Sequence, residues 1–245
     1  MDLGLKNKRA LVLGASAGIG RGIAEVLVQE GARVTIVSRS SDKIEQARSQ
    51  MKAEFALTGD LNKPGAAKEI VNSAIQKMGG VDILVINTGG PAKGAFEDVT
   101  LEQWNEGIQS LWMSAIDSIQ TALPGMKTKN WGRILLVTSL SAKEPLKAMT
   151  ISNGLRAGLS GLTKSIATEV APYGITINSL LPGYTDTDRL RELNLSADTV
   201  KSLIPAGRLG TTREFGSVAT FLASDLAGYI TGQSILIDGG ATRSF

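Results

Sequence analysis

Six short runs of β-branched and aliphatic residues recur along the chain with room for a helix between them: RALVLG, RVTIVS, DILVIN, RILLVTS, ITINSLL and SILIDGG. Apolar runs of this length, with little polar alternation, describe strands covered on both faces. The segments between them repeat apolar residues at helical spacing. Ile19, Ile23, Val26 and Leu27 make one such face, and Leu155, Leu159, Leu162, Ile166 and Val170 make another. Strands that alternate with helices confine the chain to a parallel sheet with helices on both sides. The expected fold is α/β, a Rossmann-like doubly wound sheet of about seven strands. No repeat, low-complexity tract or linker divides residues 1–245, so one domain is expected.

Composition narrows the function classes. Hydrophobic residues make up 42% and charged residues 20% of the chain, ordinary values for a globular protein. The formal charge of +3 comes from 26 basic and 23 acidic residues spread along the sequence, which gives no basic patch of the kind nucleic acid requires. No apolar run reaches the roughly 18 residues of a membrane span. The opening MDLGLKNKRALVLG enters a strand without a signal-peptide pattern, so the expected location is cytoplasmic. Cysteine and histidine are both absent. Disulfides, thiol nucleophiles, His bases and the usual zinc sites go with them, and no metal site is expected. Proton chemistry is left to Asp, Glu, Lys, Tyr or hydroxyls.

The first run leads into GASAGIG, with Gly14, Gly18 and Gly20 just ahead of a helix. Glycines there let the backbone turn tightly and approach a pyrophosphate, which the free N–H groups of the helix start would favour. The spacing G-x-x-x-G-x-G resembles that of the short-chain dehydrogenase/reductase family. The resemblance continues through DILVINTGG, LLPGYTDT and the C-terminal RLGTTREFGSVATFLASDLAGYITGQSILIDGG, and within the family it is strongest to the 3-oxoacyl-acyl-carrier-protein reductases.

That resemblance implies a dinucleotide site built from Gly14, Ser16, Gly18, Ile19 and Gly20, with Asp60 and Leu61 at the adenine and Asn87 and Gly89 beneath the ribose. Pro182, Gly183, Thr185 and Thr187 match the segment that closes over the nicotinamide. At the tip of the second strand Ser38 and Arg39 stand where an acid would pair with a ribose 2′-hydroxyl. A hydroxyl and a guanidinium suit a 2′-phosphate, so NADP(H) is favoured over NAD(H). Each position also has a plainer reading: Asp60 as a turn acid, Arg39 as a solvated charge, and the Pro-Gly segment as a simple loop.

The resemblance implies a tyrosine acid, a lysine four residues later, a carbonyl-polarising serine and a water-holding asparagine. Ser139 fits the serine, lying 13 residues before Ser152, and a role in satisfying its own turn competes with that reading. The other positions depart: Ser152 stands at the tyrosine, Arg156 at the lysine and Leu111 at the asparagine. The three tyrosines, Tyr173, Tyr184 and Tyr229, are followed four places on by Ile177, Asp188 and Gln233, so no Y-x-x-x-K exists in any alignment. A serine hydroxyl starts far above the phenol's reference pKa of about 10 and is a poor donor beside one cation. Arg156 can hold ribose hydroxyls but does not pass on a proton. Tyr184, Lys143 and Lys147 are substitute donors of lower rank.

Two functions stay open. In one the protein is an atypical NADP(H)-dependent reductase of a small carbonyl or acyl-thioester substrate, using Ser139, Ser152 and Arg156. In the other it is a catalytically silent nucleotide-binding subunit or sensor. The resemblance also implies a homo-oligomer, a tetramer in many relatives. The stretch YTDTDRLRELNLSADTVKSLIPAGRLG, expected to cover the substrate, carries no legible code.

Overall fold

The apolar runs form β1 (Arg9–Val12), β2 (Arg33–Ser38), β4 (Ile83–Asn87), β5 (Gly132–Val137), β6 (Ile175–Pro182) and β7 (Ser234–Ile237), joined by a shorter β3 (Phe55–Thr58). In the computed structural model, which describes residues 1–192 and 194–244, these seven strands make one parallel sheet in the order β3-β2-β1-β4-β5-β6-β7. The order runs outward in one direction from β1 and in the other from β4. The carboxyl ends of these two neighbours therefore open a crevice between connections that leave to opposite sides.

Helices cover both faces, as the pattern predicts. On one face lie α1 (Gly18–Gln29) and α2 (Ser41–Met51); on the other lie α3 (Ala66–Met78) and a long segment made of α4 (Leu101–Gly107), a π-helical stretch Ile108–Met113, and α5 (Ser114–Lys129). After β5 comes α6 (Thr150–Val170), and after β6 the short α7 (Asp188–Arg191) and α8 (Ala197–Leu203) lead to α9 (Thr212–Leu222). Strand alternation sorts the core into two layers: Ala10 and Val12 of β1 pack with α1, α2 and α9, while Leu11 of the same strand packs with α3, α5 and α6.

At the amino ends of the strands, away from the crevice, the Arg9 guanidinium and Lys129 ammonium (3.0 Å) both reach the buried Asp82 carboxylate. On the first face α1 and α9 meet through glycines: a Cβ on Gly22 would lie 2.5 Å from the Thr212 carbonyl oxygen, and one on Gly216 would lie 2.5 Å from that of Gly22. Phe215, fully buried beside this contact, fills the space under both helices. Gly22→Ala forces the pair apart and is expected to cost about 1–3 kcal/mol, measured as a lower urea midpoint at unchanged slope. Gly161→Ala, where an added Cβ meets nothing within 4 Å, should not lower it.

Candidate functional site

The glycine turn is held by contacts that leave no room for side chains. Gly14 has φ of +62°, and a Cβ there would strike the Asn87 carbonyl oxygen; one on Gly20 would strike the carbonyl oxygen of Gly14. Asn87, the last residue of β4, donates from Nδ2 to the Gly14 carbonyl at 2.8 Å. Ala17 precedes α1 without offering a side-chain cap, and the first helical bond runs from the Arg21 N–H to the Ala17 carbonyl. The N–H groups of Gly18, Ile19 and Gly20 thus have no partner among the described residues and face the crevice end of the helix. Such a start receives an anion without further side chains.

Beside this turn a cleft of about 510 Å³ runs over the carboxyl ends of β1, β2 and β4. Gly14, Ser16, Ser38, Arg39, Asp60 and Leu61 line it, as do Asn87 and Gly89. Gly18 and Gly20 do not; they shape the turn from behind. Arg39 is exposed and makes no ion pair among the described residues, and Lys43, in the first turn of α2, lines the same cleft. Arg39 precedes the Ser40 cap of α2, so helical spacing gave no sign that Lys43 joins it. The Ser38 hydroxyl donates to the Ser40 carbonyl at 3.1 Å. Asp60 does serve its turn, accepting the Asn62 N–H at 3.1 Å, while also lining the cleft. These residues fit a dinucleotide: a glycine cradle where a Cβ cannot go, free N–H groups, and two cations with no acid at the tip of β2.

A second pocket of about 260 Å³ adjoins the first across Gly90. Ser139, Ser152 and Arg156 come together in it, with Ile19, Pro182, Gly183, Thr185 and Thr187. Ser139 lies two residues beyond β5 and its Oγ accepts the Ser141 N–H at 3.1 Å, so it satisfies its turn and still has a proton to donate into the pocket. Ser152 and Arg156 sit one turn apart on α6, both buried. Arg156 Nε donates to Ser152 Oγ at 3.2 Å, and Nη1 donates to the Thr138 carbonyl at 2.5 Å. Ser152 Oγ also meets Ser141 Oγ at 3.3 Å. Burial, and secondarily the charge of Arg189, lowers the Arg156 pKa to about 10, which leaves the guanidinium charged at neutral pH.

Leu111 points away from both pockets into the apolar layer between the sheet and α6. It lies within the π-helical stretch, where the neighbouring Ser110 instead reaches the first cleft. This stretch is clamped to α6: Trp112 Nε1 donates to the Leu155 carbonyl at 2.9 Å, and its ring occupies the space a side chain at Gly158 would need.

The chain after β6 is fastened at two points. Gly183 approaches Asp238 so closely that a Cβ would lie 2.5 Å from that residue's Cβ, and Thr185 bridges to Gly210 with the Asp186 N–H donating to the Gly210 carbonyl at 2.7 Å. Thr187 caps α7 and lies under Gly18. Of the tyrosines, Tyr184 alone lines the second pocket; Lys143 and Lys147 are exposed and line neither. The stretch after Pro-Gly contributes Arg189 to the pocket, where it is joined by Lys93 from the loop after β4. Neither belongs to a pattern that sequence spacing would single out. Among the described residues no group of three or more His, Cys, Asp or Glu is placed to hold a metal, and no helix is long and apolar enough to cross a membrane.

A family model described as enoyl-(acyl carrier protein) reductase matches residues 14–242. A 3-oxoacyl-[acyl-carrier-protein] reductase of Vibrio cholerae is 36% identical over 241 residues, covering 97% of this chain and 98% of its own. An NADPH-dependent reductase involved in bacilysin biosynthesis has a crystal structure that matches with a TM-score of 0.94 at 32% identity, over 98% of this chain and 100% of that one. A 3-oxoacyl (acyl-carrier-protein) reductase from Agrobacterium tumefaciens, with NADP bound, matches at a TM-score of 0.92 and 30% identity, over 98% of this chain and 96% of that one.

Asn87→Ala removes the only side chain among the described residues that holds the Gly14 carbonyl. The expected loss is about 1–3 kcal/mol of stability by urea denaturation, the cost of an acceptor left without its donor.

Proposed function

The chain belongs to the short-chain dehydrogenase/reductase family, and from that premise we propose that it is an NADP(H)-dependent oxidoreductase that interconverts a carbonyl and an alcohol. The observation that carries the reading is the continuity of the two pockets: the cleft beside the glycine turn meets, across Gly90, the pocket in which Ser139 and Arg156 stand together. Relatives named as NADPH-dependent or solved with NADP support the choice of dinucleotide. So does the pair Arg39 and Lys43 at the tip of β2, where no acid lines the cleft to hold a 2′-hydroxyl.

A bound reduced nicotinamide supplies a hydride to a carbonyl carbon. Ser139 donates a hydrogen bond to the carbonyl oxygen and orients it. Arg156, itself buried, holds positive charge beneath the position where negative charge develops, and a charge held away from water acts strongly there. Its Nε bond to Ser152 leaves the serine proton to face the pocket or Ser141. The oxygen therefore takes its proton from solvent through these hydroxyls, or from Tyr184, and not from a phenol on α6. Loss of a positioned acid lowers rate by about 100- to 10,000-fold, so slow turnover is expected.

A second reading, a silent nucleotide-binding subunit or sensor, is favoured by Leu111: its side chain fills core where the family's reductases hold a water. There the dinucleotide raises stability without reaction. Under either reading the homo-oligomer that the family implies is supported by the exposed Leu101, Ile108 and Met113 along the α4–α5 segment.

NADPH consumption above background with at least one member of a panel of ketones and 3-oxoacyl thioesters is the expected result for the reductase. Thermal stabilisation by NADPH with no consumption assigns the silent role instead. Arg39→Glu should shift the NADPH-to-NADH affinity ratio at least about 10-fold toward NADH by fluorescence titration, the size of one charge-assisted contact. An unchanged ratio removes Arg39 from the 2′-phosphate. Joint replacement Leu111→Asn, Ser152→Tyr and Arg156→Lys should raise ketone reduction by about 100-fold or more. No gain means that the pocket itself, and not only its proton donor, has been repurposed.

A further inference from the structure

The second pocket carries an excess of positive charge that no acid among its described lining residues balances. Arg156 forms its floor, Lys93 and Arg189 stand at its mouth, and no Asp or Glu among the described residues lines it. Arg156 is 7% exposed. Its hydrogen bonds run to the Ser152 hydroxyl and to the carbonyls of Thr138 and Val137, all neutral acceptors, and they use Nε and Nη1 only. Nη2 makes no bond to the described residues, and the charge that acts on Arg156 is the like charge of Arg189. The Arg189 guanidinium in turn lies over Gly90, between the two pockets. A buried cation without a counter-ion is costly, and a partner brought in by a ligand recovers that cost on binding.

We propose that the substrate brings the counter-ion: the pocket takes a free keto acid, its carboxylate held between Arg156 and Arg189 and its carbonyl against Ser139. This rests on the reading of the pocket as a carbonyl site. Ser139 and Arg156 line one space of about 260 Å³, so a short 2- or 3-oxo acid is the size of guest to test against both. Guanidinium forks suit a planar carboxylate. Esterification to a thiol removes the charge, so the acyl thioester reduced by the carrier-protein reductases is the poorer ligand here. The overall change is keto acid plus NADPH plus one proton to hydroxy acid plus NADP+.

The test measures binding, so that it stands apart from turnover. Acetoacetate, 2-oxobutanoate and the methyl ester of each are titrated calorimetrically into the protein saturated with NADP+. Should NADP+ itself not bind, the cofactor reading fails and the same four compounds are titrated into the free protein. At least one acid is expected to bind 10-fold or more tightly than its ester, with affinity falling as salt rises. Arg189→Gln, at an exposed position, should cut the acid-to-ester ratio by about 10-fold, the size of one charge-assisted contact, and Arg156→Gln should abolish it. Arg156→Lys keeps the charge but loses the fork and should fall between, which also serves if the glutamine variant does not fold. Binding of neither acid, or an ester bound as tightly as its acid, overturns the proposal. So does a pair of variants that weaken NADP+ while leaving the acid-to-ester ratio intact, because the cations then serve the cofactor's phosphates.

Discussion

The closeness of Gly14, Gly20 and Asn87 is the constraint on which the working edge of this protein depends. Because neither glycine carries a Cβ, α1 can begin directly over the end of β1, and because Asn87 reaches across from β4, the turn between them keeps its carbonyl satisfied. That contact spans the two strands at which the sheet order turns outward in both directions. It fixes the free N–H groups of the helix start relative to β4 and β5, and so relative to Ser139. Replacing any one of the three residues disturbs both pockets, since they share the ground just beyond it.

On the side away from the glycine turn, the chemistry is set by what a guanidinium can and cannot do. Arg156 occupies a place on α6 where its planar head spans Ser152 and two main-chain carbonyls at the end of β5. It keeps its charge at neutral pH even though burial depresses its pKa. A group that does not release its proton can fix, attract and stabilise, but it does not relay. The hydroxyls of Ser139, Ser141 and Ser152 around it can pass a proton but are weak acids by themselves. The site is thus strong in electrostatic orientation and weak in acid catalysis, the reverse of an arrangement organised around a phenol.

Much of the fold was legible because parallel strands buried on two faces have an unmistakable composition, and β1, β2, β4, β5, β6 and β7 lie within the apolar runs. β3 is short and its residues are only half-buried or exposed, which is why FALT is not among the six apolar runs. In the site, local motifs sufficed wherever function follows backbone shape: the glycine turn, Pro182–Gly183 and the end of β5 all come together. What sequence did not expose was long-range. Lys93 lies in the loop after β4 and Arg189 in the first turn of α7, and only folding brings them to the mouth of one pocket. The π-helical stretch was equally hidden, because it is a shift in hydrogen-bond register that composition does not encode. Leu111 was recognisable as a substitution, but its burial in the apolar layer became visible only in three dimensions.

The bond from Trp112 to the Leu155 carbonyl, with the indole seated on Gly158, makes a single stiff jaw of the π-helical stretch and α6. Ser152 and Arg156 ride on that jaw. The opposite side of the pocket is made of loop and short helix, fastened at Thr185 and Asp238 and again where the Ala206 N–H donates to the Gly239 carbonyl. A side chain added at Gly158, which lines neither pocket, would therefore push on the helix that carries Ser152 and Arg156.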